Sequence, residues 1–541
     1  MMEAWLHHLL IVPILLPLTI GAVLLFYDER RSKLKALISL VSAGLLIVVS
    51  VLFLARTLEI APASDVYRLG NWFPPFGIVL VLDRLSAMML VLSSLLTTAV
   101  LVFSRAHWYK KGPHFQSLMQ FFIMGVNGTF LTGDLFNLFV FFEVVLTASY
   151  GLAFHGSGQS RVRAGMHYVV INLVASLFFL IGAALIYGVV GTLNMADLAV
   201  KIRHIASEDI VLFEVGAAFL GIVFLLKVGM WPLNFWLTPV YSTAAAPVSA
   251  AFAILSKMGI YVILRLTFLW FSPESGYFAH FGHMILFYGG LATLIFGIIG
   301  ILASQVLGRL AAYSVLVSSG ILLTVIGMGN TALMAGALFY IVSSTLALRA
   351  LFLLIELVEC NQDMAANVLA VTMEVYGDEE EEEDDEVGTY LPATLAILGC
   401  CFVICTILIV GLPPFSGFVA KFIMLMAIFN QNEGDSSANL SVMHDWLFVF
   451  FVIISGFAAL IAMTRKGIRV FWTPLECRDP RAQVIEFAPI AALLALCLMM
   501  TIMAGPISHY MSETVKTLRD PKNYIESVLT SSTLKTMEKK P

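Results

Sequence analysis

The sequence predicts an all-α polytopic membrane protein with about fourteen transmembrane helices, two of which are broken. Of its 541 residues, 60% are hydrophobic and 12% are charged, and the mean hydropathy is +0.92. Soluble domains carry about 25% charged residues. Apolar stretches of about 20 residues, the length that crosses a bilayer, follow one another along the whole chain. Prolines interrupt two of these stretches, at Pro232 and at Pro413-Pro414.

Taken in order, the apolar stretches define the spans. The first is followed by Asp28 to Arg31 without a small-residue cleavage site, so we interpret it as a span and not as a removable signal peptide. Two neighbouring stretches are separated only by Leu412-Pro413-Pro414, and we merge them into one broken helix. The stretches are 9–26, 34–55, 78–103, 117–133, 135–154, 167–190, 211–230, 245–270, 284–303, 310–328, 332–357, 393–411 merged with 415–430, 446–463 and 485–507.

Basic residues in short loops predict the orientation of the spans. They cluster at 30–35, 105–111, 161–163 and 465–469, and these loops fall on one side if the spans alternate. By the positive-inside rule that side is cytoplasmic, so both termini are predicted to face outward.

Two polar segments lie outside the spans. The insertion 359–391 contains nine consecutive acidic residues, Asp378 to Glu386. Because like charges repel and stay solvated, we predict a disordered cytoplasmic loop there and not a cation site. The polar tail 508–541 has a short amphipathic pattern around Tyr524 and Val528, which predicts a segment lying on the membrane surface or on a partner.

Four ionisable residues lie deep inside apolar stretches: Glu143, Lys227, Lys257 and Lys421. Burying one such charge in hydrocarbon costs roughly 3 kcal/mol even on lenient insertion scales, so buried charges typically mark ion pathways and proton relays. Burial also favours the neutral form of a lysine, which lets it release a proton near neutral pH. A static Glu143–Lys227 ion pair that fixes helix packing is the alternative.

The prolines are expected to create polar pockets beside two of these lysines. Proline blocks the hydrogen bond to the carbonyl four residues back. Pro232 therefore frees the carbonyl of Val228, and Pro413 and Pro414 free those of Ile409 and Val410. Freed carbonyls inside a membrane need water or a polar partner. Broken helices at matching places in two blocks, about 117–270 and 284–463, are typical of inverted-repeat transporters.

The remaining polar residues favour structural roles. Arg349 stays protonated and cannot relay a proton. Asp134 is predicted to cap a helix N-terminus, and Asp83 is ambiguous. The six cysteines show no metal-ligand spacing with histidines, and the histidines lie mainly at span ends. We therefore predict no metal site, no cofactor and no nucleic-acid partner.

Five segments carry a resemblance to a known family. They resemble the D subunit of the Mrp-type multisubunit cation/proton antiporters, over nearly the whole chain. The run 133–143 is the part most particular to that subunit, whereas the lysine motifs are shared with the antiporter-like subunits of respiratory NADH dehydrogenase. The segments are NGTFLTGDLFNLFVFFE (127–143), LKVGMWPLNFW (226–236), PVSAAFAILSK (247–257), GLPPFSGFVAK (411–421) and DPKNYIESVL (520–529).

The resemblance implies fourteen helices with two inverted five-helix repeats. It divides the chain into N-terminal helices (1–112), a first repeat (113–275), a second repeat with the acidic insertion (276–465) and a last helix with its tail (466–541). It also implies a hetero-oligomer with other membrane subunits that exchanges a monovalent cation, expected to be Na⁺, for protons across a bacterial inner membrane.

The resemblance further implies roles for the buried residues. Glu143 and Lys227 match the family's coupling pair, Lys257 its central relay lysine, and Lys421 its lysine toward the exit. Many relatives carry histidine at Ser343 or Ser344 and lysine at Arg349. These departures weaken the expectation of a proton route through the eleventh span, where water held by Ser343, Ser344 and Thr345 could substitute for the missing groups.

Three functions stay open at this point. The first is a proton-translocating subunit of a cation/proton antiporter, which is a transporter and not an enzyme. The second is a proton-pumping subunit of a redox-driven complex such as NADH dehydrogenase or a membrane-bound hydrogenase. The third is a scaffold that moves no ion, which predicts that replacing Lys227 leaves transport intact.

Overall fold

The computed structural model of the chain describes residues 8–106, 108, 112–156, 158–279, 281–376, 393–431, 439–471 and 483–530. These residues form twenty α-helices and one two-stranded antiparallel hairpin. In chain order the elements are α1 (Val12–Phe26), α2 (Ser32–Ile60), β1 (Asp65–Arg68), β2 (Val79–Leu82), α3 (Arg84–Ser104), α4 (Phe115–Leu131), α5 (Leu135–Ala153), α6 (Gln159–Val190), α7 (Met195–Lys201), α8 (Ile210–Val228), α9 (Leu237–Thr243), α10 (Ala246–Phe252), α11 (Leu255–Trp270), α12 (His283–Ala303), α13 (Leu307–Met328), α14 (Thr331–Tyr376), α15 (Ala393–Val410), α16 (Ser416–Gln431), α17 (Asn439–Phe471), α18 (Val484–Ile502), α19 (Ala504–Arg519) and α20 (Lys522–Thr530).

The all-helical membrane fold is confirmed. Among the described residues, twelve helices are long and apolar enough to cross a membrane, and Thr394–Val410 and Ser416–Asn430 are shorter apolar helices. The predicted total of about fourteen stays a prediction. The predicted span 245–270 comprises two helices, α10 and α11, and the predicted span 167–190 begins eight residues earlier, at Gln159. The prediction of a disordered loop over 359–391 is wrong for its first part, because α14 continues as a helix to Tyr376, and the acidic run Asp378–Glu386 lies outside the described residues.

Polar side chains start several helices. Asp83 caps α3, where its carboxylate accepts from the Ser86 amide and the Ser86 hydroxyl accepts from the Asp83 amide. Asp134 caps α5 by accepting from the Asn137 amide at 3.0 Å, as predicted. Asn194 caps α7 in the same way. These caps satisfy amides that the first helical turn leaves without partners.

Hydrogen bonds tie the segments of three basic loops to the ends of neighbouring helices. Glu29, between α1 and α2, accepts from the His114 amide at the start of α4. Arg465 in α17 donates to the Leu302 carbonyl at the end of α12, at 2.7 Å. Arg161 in α6 donates to the Thr243 carbonyl at the end of α9, at 2.9 Å. The orientation stays a prediction, and we call the end opposite to these loops the outer face.

The C-terminal tail folds back on the outer face of the chain itself. Tyr524 and Val528 of α20 are buried, with 8% and 0% of their surface exposed. The Ser64 amide, just before β1, donates to the Ser527 hydroxyl at 3.2 Å. The expectation that this amphipathic segment lies on the membrane or on a partner is therefore wrong, because its apolar face already has a partner within the chain.

Two helix breaks share one local geometry. After α8, Gly229 adopts φ +80°, and the amides of Gly229 and Met230 both donate to the Leu225 carbonyl. After α15, Gly411 adopts φ +81°, and the amides of Gly411 and Leu412 both donate to the Ile407 carbonyl. Such left-handed glycines are a common way to end a helix.

The most deeply buried helices are α10, α11, α13 and the first part of α14, whereas α1, α2 and α6 lie at the periphery. The central helices carry Lys257 and the hydroxyl groups that surround it. Lys257, with 0% of its surface exposed, is therefore surrounded by protein on all sides.

Candidate functional site

Glu143 lies on α5 and is half-buried. Its carboxylate Oε1 accepts a short hydrogen bond from the Ser176 hydroxyl of α6. The same hydroxyl lies 3.0 Å from the Asn172 carbonyl, one turn earlier on α6. Ser176 therefore fixes one carboxylate oxygen of Glu143 and leaves the other free to exchange a proton or a charge.

Lys227 lies in the last turn of α8, with 8% of its surface exposed. Its ammonium nitrogen sits 4.8 Å from the centre of the Phe142 ring, a cation–π contact. Among the described residues it has no hydrogen-bond partner and no carboxylate within 4.0 Å, although the charge acting on it is that of Glu143. Glu143 and Lys227 thus form a charge-coupled pair and not a closed salt bridge.

A small cavity separates Lys227 from α6. Its volume is about 20 Å³, and its polar lining comes from Asn172, Tyr168 and Lys227. A space of this size holds roughly one water molecule. A water molecule there would be positioned between the lysine and the α6 residues that reach Glu143.

Lys257 is completely buried in α11, with 0% of its surface exposed. Its ammonium nitrogen donates to the Ser318 hydroxyl of α13 at 2.5 Å, and Ser318 donates to the Ser344 hydroxyl of α14 at 3.1 Å. On the neighbouring residue of α14, the Ser343 hydroxyl lies 2.8 Å from the Ser416 hydroxyl, at the start of α16. The adjacent serines of α14 thus face α13 on one side and α16 on the other.

Lys421 lies on α16 and binds the carbonyls that the prolines leave free. Its ammonium nitrogen donates to the Val410 carbonyl at 2.7 Å, and the Ile409 carbonyl is 3.5 Å away. These are the two carbonyls that the sequence predicts to be freed. At the other break, the Trp236 indole donates to the Leu226 carbonyl at 3.1 Å.

The pocket beside Lys421 differs from the polar pocket that we expected. It is a cavity of about 200 Å³ formed by α15, α16 and α17, and Lys421 is the only ionisable residue among the described residues that line it. The other lining side chains are apolar, including Phe418, Phe422 and Val452. The freed carbonyls are satisfied by the lysine itself, so the break needs no further polar side chains.

Arg349 is buried in α14 and donates to the Ala251 carbonyl at 3.1 Å. Its Nε has no hydrogen-bond partner in the described structure. A cavity of about 10 Å³ beside it is lined by Ser93 and Thr97 of α3, among apolar residues. This arrangement suits a fixed positive charge that influences its surroundings.

Sequence reasoning identified the ionisable residues but missed their hydroxyl and amide partners. Ser176 and Ser318 lie in apolar stretches in which a serine is an ordinary helix-packing residue, so no pattern distinguishes them. Arg265 was also missed. Like Lys257, it is an ionisable residue inside the apolar stretch 245–270, so the same criterion could have found it. Within the described ranges, no group of three or more His, Cys, Asp or Glu side chains could hold a metal ion.

Known proteins resemble the chain along its whole length. The family profile described as "NADH:quinone oxidoreductase/Mrp antiporter, TM" matches residues 132–457. A Rhizobium meliloti protein, named as the probable D subunit of a K(+)/H(+) antiporter, is 52% identical and covers 98% of this chain and 99% of its own length. The Na(+)/H(+) antiporter D subunits of Alkalihalophilus pseudofirmus and Bacillus subtilis are 34% and 32% identical, each covering 97% of this chain and 99% of its own length.

Solved structures share the fold. A chain of the Mrp complex from Dietzia sp. DQ12-45-1b superposes with a TM-score of 0.79 at 24% identity, covering 98% of this chain and all of that one. A chain of respiratory complex I from Thermus thermophilus superposes with a TM-score of 0.71 at 20% identity, covering 94% and 99%.

Proposed function

The chain belongs to the D-subunit family of Mrp-type cation/proton antiporters, and from this membership and the buried site we infer that it is a multi-pass inner-membrane subunit that carries protons for cation exchange. It is a secondary transporter subunit and not an enzyme. The observation that supports the proton route best is the set of hydroxyl contacts around Lys257, which reach α13 and α14.

The proposed route begins at Glu143 and Lys227. If the two charges approach to about 6 Å, they attract each other by roughly 3 kcal/mol at an effective dielectric near 20. One charge crossing 100 mV is worth about 2.3 kcal/mol. Moving the two groups together or apart therefore changes the free energy of protonating them. The change is similar in size to the energy of one charge crossing the membrane potential. The open arrangement of the pair leaves room for such movement.

The middle of the route is Lys257 with Ser318 and Ser344. A hydroxyl is both a donor and an acceptor, so it can pass a proton on by turning. In this route, serine hydroxyls take the place of the histidine that many relatives have at Ser343 or Ser344. On the other side of α14, the contact between Ser343 and Ser416 joins α14 to the helix that carries Lys421.

Lys421 is the proposed last member of the relay. Two carbonyls near its ammonium group stabilise the charged form, and the α15–α16 break that supplies them can move independently of straight helices. A small displacement of the break would lengthen the 2.7 Å bond to Val410 and favour proton release.

The exchanged cation distinguishes two variants of this proposal. The relative at 52% identity is named for K⁺, and those at 34% and 32% are named for Na⁺. We expect the chain to work with other membrane subunits, as the multisubunit assemblies of the same fold suggest. The inverted repeats 113–275 and 276–465 belong to the same proposal, and the matching geometry at Gly229 and Gly411 supports them.

The test is proton flux in vesicles that contain the complete complex and no redox substrate. Adding Na⁺ or K⁺ should drive proton movement, and Lys257→Ala should abolish it while the complex still assembles. Flux that requires an electron donor would instead favour the redox-driven alternative. Normal exchange in both Lys227→Ala and Lys257→Ala would favour a scaffold that moves no ion.

A further inference from the structure

A buried ion pair that the proposed relay does not use joins α3 to α11 at the outer face. The Arg265 guanidinium binds both carboxylate oxygens of Asp83, at 2.5 and 2.9 Å. Only 8% and 16% of the two side chains are exposed. Because desolvation offsets the attraction in such pairs, stability alone is a weak reason for having one.

This pair continues a line of polar residues that starts at Lys257. Lys257, Tyr261 and Arg265 are spaced four residues apart on α11, which places them on one face about 6 Å apart along the helix axis. The Tyr261 hydroxyl accepts from Arg265 at 3.0 Å and donates to the Phe130 carbonyl at 2.7 Å. Hydrogen bonds therefore connect Asp83 through Arg265 to Tyr261, which lies about one helical turn from Lys257 on α11.

The C-terminal tail covers the outer side of the pair. The Arg265 guanidinium carbon lies 5.3 Å from the centre of the Tyr524 ring of α20 and 5.4 Å from that of Tyr261. A cavity of about 30 Å³ lies between the pair and the tail. The Tyr510 hydroxyl of α19 donates to the Arg84 carbonyl at 2.7 Å, which holds the tail beside the pair.

The closed pair cannot carry a proton. The Asp83 carboxylate also accepts from the Ser86 amide, so three hydrogen bonds stabilise its charged form. Both carboxylate oxygens face the guanidinium, and the guanidinium itself does not deprotonate. Asp83 can accept a proton only after Arg265 has moved away.

We propose that Asp83 is an outer proton-carrying acid on a branch from Lys257, and that Arg265, latched by Tyr524, is the gate that closes this branch. When Arg265 swings outward, the carboxylate accepts a proton that arrives past Tyr261 and becomes a neutral acid. When Arg265 returns, that proton leaves to the outer water and the ion pair closes again. This inference rests on the proposed function, because it takes its proton from Lys257.

The first test measures passive proton leak in vesicles of the complete complex with neither Na⁺ nor K⁺ present. Arg265→Gln should raise the leak by about tenfold, since the fixed charge that blocks the acid is gone. Asp83→Asn, whose amide oxygen can still cap α3, should not raise it, and the Asp83→Asn/Arg265→Gln double variant should return to the parent value. Arg56→Gln is the matched control, because it breaks an outer pair, Arg56–Asp65 at 2.7 Å, that is not on the α11 line.

A merely structural ion pair predicts a different pattern. Asp83→Asn and Arg265→Gln would then have similar effects, and a leak of Arg265→Gln no larger than that of Arg56→Gln, in complexes that assemble, would overturn the gate. Adding Lys257→Ala to Arg265→Gln should remove the leak. If the leak persists there, the proton does not come from Lys257 and the proposed branch is overturned, whereas the relay through Lys257 is decided separately by the exchange activity of Lys257→Ala alone.

The second test measures accessibility and needs no transport. Phe130→Cys places a thiol beside Tyr261 without changing the gate residues, and a charged, membrane-impermeant thiol reagent is added from the outer side. The same labelling is measured on the parent chain, which carries its own six cysteines. Labelling should be slow in Phe130→Cys alone and in Phe130→Cys/Tyr524→Phe, because both keep an aromatic ring at position 524. Labelling should be roughly tenfold faster in Phe130→Cys/Tyr524→Ala. Equal labelling rates in all three variants would show that Tyr524 does not hold Arg265 in place. This result would count even if Arg265→Gln failed to assemble.

Discussion

At the scale of single residues, the buried lysines differ in what surrounds them. Lys227 faces an aromatic ring and a cavity, Lys257 a serine hydroxyl, and Lys421 two backbone carbonyls. The three environments stabilise a positive charge to different degrees, because carbonyls and carboxylates attract it more strongly than a single hydroxyl does. In the proposed relay, a proton moving between the lysines would therefore meet sites of unequal proton affinity.

We expect Glu143→Ala to abolish exchange while the complex still assembles. The substitution removes the charge that acts on Lys227 and the acceptor that holds Ser176. Cation-dependent proton flux in vesicles, with the amount of assembled subunit measured in parallel, checks this. Glu208→Ala, at an exposed position, is the control and should exchange normally. Near-normal flux in Glu143→Ala would show that the acid is not part of the route.

We expect Lys257→Arg to be as inactive as Lys257→Ala. Arginine keeps the charge but does not release its proton, and its larger head must fit where Lys257 is fully buried. Initial rates of exchange for both variants check this, with Lys516→Arg on the exposed face of α19 as the control. An active Lys257→Arg beside an inactive Lys257→Ala would mean that Lys257 supplies a fixed field and not a proton.

The sequence predicts the buried glutamate and lysines because an ionisable side chain in an apolar stretch can be recognised without a structure. Their partners are not visible in this way. Ser318 and Lys257 are 61 residues apart in sequence, and Arg265 and Asp83 are 182 residues apart. Only the packing of distant helices brings these residues into contact. Asp83 therefore stayed ambiguous at the sequence level, because its cap is local but its ion pair is not.

At the scale of secondary-structure elements, one lysine precedes its helix break along the chain and the other follows its break. Lys227 precedes Gly229 in α8, whereas Lys421 follows Gly411 in α16. Proline chemistry made both breaks predictable. It could not show that Lys421 itself takes up the freed carbonyls, since that depends on how α16 folds back toward α15.

Gly411→Ala should impair exchange by disturbing Lys421. A Cβ at Gly411 would lie 2.7 Å from the Lys421 Cδ, and φ of +81° is unfavourable for alanine, by roughly 1–2 kcal/mol. We expect a reduced maximal rate together with a lower thermal unfolding midpoint of the purified complex. Gly188→Ala in α6 is the matched control, because a Cβ there meets nothing within 4 Å. Equal behaviour of the two variants would contradict a tight fit at the break.

At the scale of the whole molecule, hydropathy predicts the class of fold because the bilayer requires about 20 apolar residues for each span. It does not predict how the spans are arranged, and the central position of α11, α13 and α14 emerges only from their packing. The same limit applies to the tail. The pattern around Tyr524 correctly indicates an amphipathic helix, but its partner, the outer face of the same chain, lies more than 200 residues away in sequence.

Deleting Asp378–Glu386 should leave exchange largely unchanged. The run lies outside the described residues, so this prediction rests on sequence alone: nine adjacent acids repel one another and have no apolar anchor. Their expected effect is a modest enrichment of cations at the cytoplasmic face, which salt screens within a Debye length of about 10 Å at 0.1 M. Titrating exchange with Na⁺ and K⁺ at low and moderate ionic strength should therefore show a small change in apparent affinity at low ionic strength only. A large loss of maximal rate at both ionic strengths, with normal assembly, would instead make the run part of the transport machinery, because screening removes a diffuse field but not a specific contact.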